Sequence, residues 1–369
     1  MNIERMQNIL FKLLETDSPY GFEKDAAGII CAFLDKHDIP WNDDGNAEAI
    51  GSNVGNIIVG GAGNARLSFC AHMDTITIFD KKVPCLDGTI VKAQGGGVLG
   101  IDDKSGVALL LELAVSLKEN GGIPDDIHFL FTVHEESGFK GAWALDPRHF
   151  IGAYTFVVDS GGIPLVRVVN KAAGQMTYTI TVHGVMGHAS THGKKNAAVL
   201  SAQLISLLKA GKRSEDSFVH VGSIKCPGNP NTVPDISIIS GQILSFNKKE
   251  MEAILAEMKT TVEKFSKDQG FTADFFVQND CDPWIVPDED PIIAYACKAA
   301  AQAGLPFTLG QSWSGSDAQV IAQRGGKVIK ISTGMMAPHS KEEYIDLDDM
   351  KKCADYLWRL AGYNNRSNI

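Results

Sequence analysis

No apolar run in this 369-residue sequence is long enough to cross a membrane, and no stretch is rich in lysine and arginine. A membrane-spanning helix needs about 20 consecutive apolar residues, so we expect no membrane partner. The formal net charge is −10, which repels a phosphate backbone, so we expect no nucleic-acid partner either. Residues 1–16 carry charges among apolar residues, a pattern that indicates an amphipathic helix and not a secretory signal.

Paired cysteines are absent as well. The seven cysteines are scattered, odd in number, and form no C-x-x-C pair. Such usage is typical of reduced, mostly buried thiols, and it favours a cytoplasmic location. Hydrophobic residues make up 44% and charged residues 21% of the sequence, which is ordinary for a globular protein with a core. The length favours one large or two medium domains.

Helical and strand patterns alternate along most of the chain. Apolar residues recur at helical spacing over residues 3–14, and a strongly apolar helix is predicted over residues 107–117. Short, continuously apolar runs at residues 67–71, 127–133 and 154–158 predict buried strands. Together these patterns favour an α/β fold with a mainly parallel sheet and helices on both of its faces.

The pattern changes near residue 170, where a half-exposed strand begins. Between residues 170 and 282 the order of elements is strand, helix, strand, strand, helix, strand, which is typical of a small ferredoxin-like α+β domain. Three prolines then mark a linker, after which helix and strand alternate again. We therefore predict one α/β domain of residues 1–169 and 283–369, interrupted by an inserted α+β domain of residues 170–282.

Side chains that can bind metals follow the ends of several predicted strands. His72 and Asp74 are two residues apart after an apolar strand, a spacing that places both side chains on one face. Glu135 and Glu136 end a second apolar strand, and Asp159 ends a third. Ligands gather at the carboxyl ends of strands in sheets of this kind. Each motif alone also has an ordinary interpretation, as a histidine paired with an exposed aspartate or as a solvated acidic loop.

Asp102 and Asp103 precede the apolar helix in a glycine-rich segment. One interpretation is a helix N-cap, where aspartate is favoured. Another is a phosphate-binding loop formed by residues 95–100, but neither G-x-G-x-x-G nor G-K-S/T is present. A third is that one aspartate caps the helix while the other points into a cleft. His339 lies far downstream, after the predicted strand that ends at Ser332.

Taken together, these residues predict a divalent metal centre. Histidine and carboxylate ligands from separate strand ends suit zinc or a similar ion. Charge counting favours two ions. Two divalent ions carry a charge of +4, the carboxylates of Asp102, Glu136 and Asp159 supply −3, and one bound hydroxide neutralises the remaining +1. With a single ion the same three carboxylates leave a net charge of −1.

The motifs around these residues resemble, in order and spacing, those of the peptidase T-like di-zinc exopeptidase family, which also includes aminoacylases and desuccinylases. They are His-x-Asp-Thr, Gly-x-Asp-Asp-Lys-x-Gly, Glu-Glu-x-Gly, a strand-end aspartate and a late histidine. The resemblance runs along the whole chain. Residues 187–190 resemble the family's lid histidine motif, residues 231–235 its lid turn, and residues 315–317 its late glycine-rich loop.

The resemblance implies a site for two divalent metal ions, with Zn²⁺ as the first choice and Co²⁺ or Mn²⁺ as alternatives. In such a site Asp102 bridges the two ions. The other ligands divide between the ions, with His72 and Asp159 on one and Glu136 and His339 on the other.

The resemblance also implies which residues act on the substrate. Asp74 orients His72, and Glu135 is the general base that takes a proton from water and gives it to the leaving amine. His188 of the lid would reach the active site of a partner subunit and help to hold the oxyanion, so we expect a homodimer formed through the lid domain. The alternative for His188 is an ordinary surface histidine on a turn. The remaining candidates for substrate contact are Asn231, Gly315 and Ser316.

The sequence departs from the tripeptidase branch of the family at two positions where an arginine grips the substrate carboxylate. Residues 312–314 and 241–245 contain no arginine here, which argues against strict tripeptidase specificity. Trp313 is instead a candidate for lining an apolar subsite. The leading hypothesis is a cytoplasmic di-zinc exopeptidase that acts on short peptides. The alternatives are an N-acyl-amino-acid deacylase of the same family, a non-catalytic binding protein on this fold, and a nucleotide-binding protein.

Overall fold

The computed structural model describes residues 1–60, 65–78, 83–162, 166–190 and 195–362. The chain divides into two compact units. The first unit comprises Met1–Asn170, Val286–Gln311 and Ser316–Ile369, and the second comprises Lys171–Ile285 and Ser312–Gly315. No helix among the described residues is long and apolar enough to cross a membrane.

A mixed β-sheet forms the centre of the first unit. Its middle strands are parallel and follow the order Ile127–Thr132, Leu67–His72, Tyr154–Ser160 and Lys327–Ser332. Nearly all of their residues are buried, as expected for parallel strands covered on both faces. The strands that extend the sheet at its two sides are Asn42–Asp43, Ile57–Val59, Val166–Ala172 and Phe307–Ser312, and the short strand Trp284–Ile285 pairs with the end of Val166–Ala172.

The helix Ile101–Glu119 packs against the central strand Leu67–His72 and is buried from Ile101 to Leu117. A helix that is apolar all round belongs in the interior, and the apolar pattern predicted this one. Asn2 caps the helix Ile3–Leu14, which buries the predicted apolar stripe against Ile101–Glu119. The other helices of the first unit are Lys24–Lys36, Ala47–Ile50, Lys140–Ala144, the 3₁₀ turn Pro147–His149, Pro291–Ala303, Asp317–Gln323 and Leu347–Leu360.

A second, antiparallel sheet in the first unit joins distant parts of the chain. Its four strands follow the order Met335–Met336, Tyr344–Asp346, Ile90–Ala93 and Pro84–Asp87. The pairing of Tyr344–Asp346 with Ile90–Ala93 places the residues after His339 beside the segment that leads to the central helix.

The second unit is built on an antiparallel sheet with two helices. The strands follow the order Gly211–Lys212, Ser217–Lys225, Ile236–Ser245, Gly174–His183 and Thr272–Cys281. Along Gly174–His183 buried and partly exposed residues alternate, because one face of the sheet packs against the helices Ala197–Leu207 and Lys248–Gln269. This is the predicted α+β arrangement. A short ribbon, Gly187–His188 paired with Thr232–Val233, completes the unit.

The segment Ser312–Gly315 belongs to the second unit, although the sequence placed it in the larger domain. Trp313 packs its ring edge-on against Phe246 with ring centroids 4.6 Å apart. Ser312 O accepts a hydrogen bond from the Ala173 N–H at 3.0 Å. Both contacts join residues that are distant in sequence, so no local pattern could reveal them.

Candidate active site

Four of the predicted ligands lie at the carboxyl ends of the parallel strands. His72 ends the strand Leu67–His72, and Asp159 is the next-to-last residue of Tyr154–Ser160. Glu136 and His339 follow the other two parallel strands. Because parallel strands have their carboxyl ends at one edge of the sheet, these four side chains converge there.

Asp102 enters the same cluster from the start of the helix Ile101–Glu119. Its backbone is not helical, Gly100 two residues earlier has a φ of 74°, and the peptide bond to Asp103 is cis. Asp103 Oδ1 accepts a hydrogen bond from the Gly106 N–H at 3.1 Å, and Asp103 Oδ2 accepts one from the His72 N–H at 3.3 Å. Asp103 thus satisfies backbone groups at the helix start, while the Asp102 carboxylate faces the cluster.

The two carboxylate oxygens of Asp102 face two different histidines. Oδ1 lies 3.3 Å from His72 Nε2, and Oδ2 lies 3.4 Å from His339 Nε2. His339 Nε2 is also 2.7 Å from Glu136 Oε1, and His72 Nε2 is 3.9 Å from Glu135 Oε2. Within the described part of the chain, potential ligand atoms lie within 4.8 Å of one another in three overlapping triplets, which are His72–Asp102–Asp159, His72–Glu135–Glu136 and Asp102–Glu136–His339.

Asp74 fixes two neighbouring strand ends. His72 Nδ1 lies 3.0 Å from the backbone oxygen of Asp74 and 3.5 Å from its Oδ1, which directs His72 Nε2 towards the cluster. The two oxygens of the Asp74 carboxylate accept hydrogen bonds from the N–H groups of Glu135 and Glu136, each at 3.0 Å. The hydrogen bonds from the Glu135 and Glu136 N–H groups to Asp74 were not predicted, because the sequence does not show which backbone N–H groups bind a side chain.

The cluster concentrates carboxyl groups in a buried place. Asp102, Asp159 and Glu135 are all buried. Burial raises the pKa of Glu135 well above its ordinary value, and the charge of Asp159 acts in the same direction. The charge of His72 acts in the opposite direction but does not offset them. Burial also raises the pKa of Asp159 to about 6. At Asp102 burial acts in the same direction, but the hydrogen bond and charge of His72 outweigh it and bring the pKa to about 2.

The residues of the cluster fit a divalent metal centre. Isolated buried charges are costly, so buried carboxylates are normally paired or coordinate metals. The three triplets offer two imidazole rings and four carboxylates from five separate segments of the chain. Such a mixed nitrogen and oxygen donor set suits zinc and related divalent ions.

Two charged residues next to the cluster were missed in the sequence. Lys330 is buried, and its Nζ lies 3.0 Å from Asp159 Oδ2. The sequence feature that could have revealed this buried lysine is its position within an otherwise apolar strand, Val-Ile-Lys-Ile-Ser. Glu343 is buried as well and accepts hydrogen bonds from backbone N–H groups that lead to Asp102. It follows His339 by four residues, but nothing in its own motif indicated burial.

In the second unit, His188 ends one strand of a short ribbon, and Asn231 lies just before the other strand, Thr232–Val233. His188 pairs with Thr232, and the Ala189 N–H donates to Asn231 O at 2.9 Å. The His188 side chain is exposed, and its Nδ1 lies 2.8 Å from Ser190 Oγ. Among the described residues, the Nε2 atom of His188 has no hydrogen-bond partner.

The late glycine-rich loop is divided between the two units. Gly315 ends the segment of the second unit, whereas Ser316 belongs to the first unit. Ser316 is buried and forms a capping box with Gln319 at the start of the helix Asp317–Gln323. Asp317 is also buried, and its Oδ2 accepts a hydrogen bond from Thr132 Oγ1. The loop is thereby anchored to the strand that precedes Glu135.

The fold and the convergent histidine and carboxylate cluster define a metal-dependent hydrolase. The chain belongs to peptidase family M20/M25/M40, whose family model matches residues 69–362.

Several individual proteins are similar to this chain along most of its length. The uncharacterized protein YqjE of Bacillus subtilis is 28% identical over 362 residues, and the match covers 97% of both chains. Peptidase T of Escherichia fergusonii is 25% identical over 296 residues, which is 77% of this chain and 70% of that relative. The crystal structure of aminopeptidase PepT from Bacillus cereus has a TM-score of 0.80 at 27% identity and 98% coverage of both chains. The family indicated by the motifs is therefore confirmed.

Proposed function

We propose that this hydrolase is an exopeptidase that cleaves amide bonds of short peptides with two divalent ions, most simply Zn²⁺. The observation that carries the proposal is the position of Asp102, whose two oxygens face His72 and His339 at 3.3 and 3.4 Å. A carboxylate in this position can be shared between two ions. Similarity to peptidase T and to aminopeptidase PepT supports a peptide substrate. Co²⁺ and Mn²⁺ are the alternative ions.

The ligand triplets support a division of the side chains between the two ions. His72, Asp102 and Asp159 would hold one ion, and Asp102, Glu136 and His339 the other. Bound divalent ions supply Lewis-acid polarisation of a carbonyl and lower the pKa of water. Asp74 would hold the proposed ligands His72 and Glu136 in fixed relative positions, because it contacts the His72 ring and accepts a hydrogen bond from the Glu136 N–H.

Glu135 is the proposed general base. Its Oε2 lies 3.9 Å from His72 Nε2, at the edge of the ligand cluster, and its backbone N–H is held by Asp74. The carboxylate would take a proton from the attacking water and later give it to the leaving amine. Its burial excludes bulk water from this proton transfer.

We further propose a cytoplasmic homodimer in which His188 helps to stabilise the oxyanion in the partner subunit's active site. The exposed ring of His188 and the contact of its Nδ1 with Ser190 support this role, because Nε2 has no hydrogen-bond partner among the residues that the structure describes. Asn231, next to His188, and Gly315 are the proposed substrate contacts. Ser316 is buried, so its proposed contribution is to place Gly315 and not to touch the substrate.

A peptide-library assay tests the proposed function. The metal-loaded enzyme is incubated with di- and tripeptides, with longer peptides and with N-acyl amino acids, and Glu135→Gln serves as the inactive control. We expect release of terminal residues from short peptides. Cleavage of N-acyl amino acids with all peptides left intact would assign the chain to the deacylase branch instead. A purified, remetallated protein that holds no zinc, cobalt or manganese would favour a binding protein on this fold.

A further inference from the structure

A buried carboxylate outside the proposed metal ligands holds the segment that carries Asp102. Glu343 is 2% exposed and lies immediately before the strand Tyr344–Asp346. Its Oε2 accepts hydrogen bonds from the N–H groups of Leu99 at 2.6 Å and Gly100 at 3.0 Å. Its Oε1 accepts a longer hydrogen bond from the Asp102 N–H at 3.4 Å. One side chain therefore binds three backbone donors within four consecutive residues that end at Asp102.

The same side chain connects two proposed ligands that are distant in sequence. Glu343 follows His339 by four residues, so the turn that presents His339 is tied to the segment that presents Asp102. A backbone hydrogen bond from the Gly97 N–H to Lys341 O, at 3.0 Å, joins the same two segments a second time. The distance between the Asp102 carboxylate and the His339 ring thus depends on the hydrogen bonds that join these two segments.

The segment before Asp102 needs an external acceptor because its conformation is irregular. Gly100 has a φ of 74°, and a Cβ atom at this position would lie 2.4 Å from Thr75 Cγ2. In a buried, non-helical segment the backbone N–H groups have no regular partners, and leaving them unpaired is costly. Glu343 supplies these partners from another part of the chain.

We propose that Glu343 is a positioning residue of the metal centre, which holds residues 99–102 so that Asp102 meets both His72 and His339. This inference rests on the proposed two-metal function. Glu343 belongs to none of the three ligand triplets found among the described residues, and it acts on the ions only through the backbone of the Asp102 segment. Loss of such an outer partner typically weakens metal binding by about 10–100-fold.

Metal binding by Glu343→Gln tests the proposal. The amide keeps the size of the side chain, but its NH₂ group cannot accept a hydrogen bond, so at least one backbone donor loses its partner. We expect the metal-free variant, titrated with Co²⁺, to bind about 10–100-fold more weakly than the wild type, with a changed visible absorption spectrum.

Two further variants make the comparison specific. Glu342→Gln makes the same chemical change at an exposed neighbouring residue, and it should bind Co²⁺ like the wild type. Glu343→Asp keeps the charge but shortens the side chain, and its affinity should lie between those of Glu343→Gln and the wild type. The melting temperature of each metal-free variant shows whether it is folded.

The possible outcomes separate this inference from the proposed function. Weaker Co²⁺ binding and an altered spectrum in a folded Glu343 variant support the inference. Wild-type affinity and spectrum in Glu343→Gln overturn it and leave the two-metal function intact. Failure of both Glu343 variants to fold also overturns it, because Glu343 would then be a general structural residue. A wild-type protein that binds no divalent ion would overturn the proposed function and this inference together.

Discussion

The ammonium group of Lys330 lies 3.0 Å from Asp159 Oδ2, inside a cluster of residues that suits divalent cations. Both side chains are buried. Burial opposes the charged form of Lys330, but the carboxylates of Asp159, Glu135 and Asp102 outweigh it and raise its pKa above the ordinary value. Lys330 therefore stays positively charged beside Asp159 and competes electrostatically with any metal ion that Asp159 binds.

Replacing Lys330 with methionine should strengthen metal binding while it destabilises the metal-free protein. The variant loses one positive charge close to three carboxylates, so we expect affinity for Zn²⁺ to rise by about tenfold or more. Without metal, Asp159 loses its buried partner, and the melting temperature should fall. Thermal unfolding with and without Zn²⁺ measures both effects, because a tighter ligand gives a larger rise in melting temperature.

Lys327→Met is the matched control for this experiment, since Lys327 is exposed at the start of the same strand. It should leave the metal-dependent rise in melting temperature unchanged. An equal rise in Lys330→Met and the wild type would show that Lys330 does not influence the metal site.

Glu135→Gln should separate catalysis from metal binding. Glutamine cannot take a proton from water, so we expect kcat to fall by about 10²–10⁴-fold while the metal content stays at the wild-type level. Glu136→Gln, one residue away, removes a proposed ligand and should lower the metal content. Metal analysis and peptide turnover of both variants provide the measurement. Equal metal loss in the two variants would make Glu135 a ligand and remove it as the base.

Mixing two inactive variants tests whether His188 acts across the proposed dimer. In a mixed dimer of Glu135→Gln and His188→Gln, one active site has an intact Glu135 and receives His188 from its partner. If subunits exchange freely, half of the dimers are mixed and each has one working site, so about one quarter of the wild-type activity should return. Peptide turnover before and after mixing measures this gain. Activity that stays at the level of the separate variants would place His188 in its own subunit's site or outside catalysis.

The parts of the fold and site that could be predicted from sequence depend on regular, local patterns. Apolar residues at helical spacing predicted the helix Ile3–Leu14, and continuous apolar runs predicted the central parallel strands. Because parallel strands share one carboxyl edge, His72 and Asp159 could be expected to meet from their positions at strand ends alone.

The features that sequence did not reveal depend on contacts between distant segments. The central helix was predicted from residue 107, whereas the element Ile101–Glu119 also contains a buried, non-helical stretch at Asp102 and Asp103 before its regular part. The carboxylate of Asp74 binds backbone N–H groups, which are the same in every sequence. Lys330 is buried within its apolar strand beside Asp159 of the neighbouring strand, whose Oδ2 lies 3.0 Å from its ammonium group.

Arg5 and Arg66 should differ strongly in their contribution to stability. Arg5 Nε lies 2.7 Å from Glu112 Oε2, and the Glu112 side chain is completely buried. Arg66 makes an ion pair of the same length with Asp126, but both of those side chains are about half exposed. Arg5→Met should lower the free energy of unfolding by about 3–5 kcal/mol, because the buried Glu112 carboxylate loses the cation that pairs with it. Arg66→Met should cost about 0–1 kcal/mol. Urea denaturation measures both values, and equal losses would contradict the role given to burial.

The pair His128 and His149 should make the protein less stable below neutral pH. Their Nδ1 atoms lie 3.1 Å apart, His128 is completely buried, and burial lowers the pKa of both rings. A histidine with a lowered pKa in the folded state binds fewer protons than in the unfolded chain, so its stabilising effect is present above about pH 6.5 and is lost as the pH falls. Each ring can contribute at most about 1.4 kcal/mol per pH unit.

His128→Leu should therefore flatten the dependence of the unfolding free energy on pH between about pH 5 and pH 7. Urea denaturation at several pH values measures the slope for the variant and for the wild type. His220→Leu, which removes an exposed histidine from the second unit, is the control and should keep the wild-type slope. If His128→Leu and the wild type lose stability in parallel as the pH falls, the buried pair does not take up protons on unfolding in this range. The acid sensitivity would then have to come from other groups whose pKa is lower in the folded chain than in the unfolded chain.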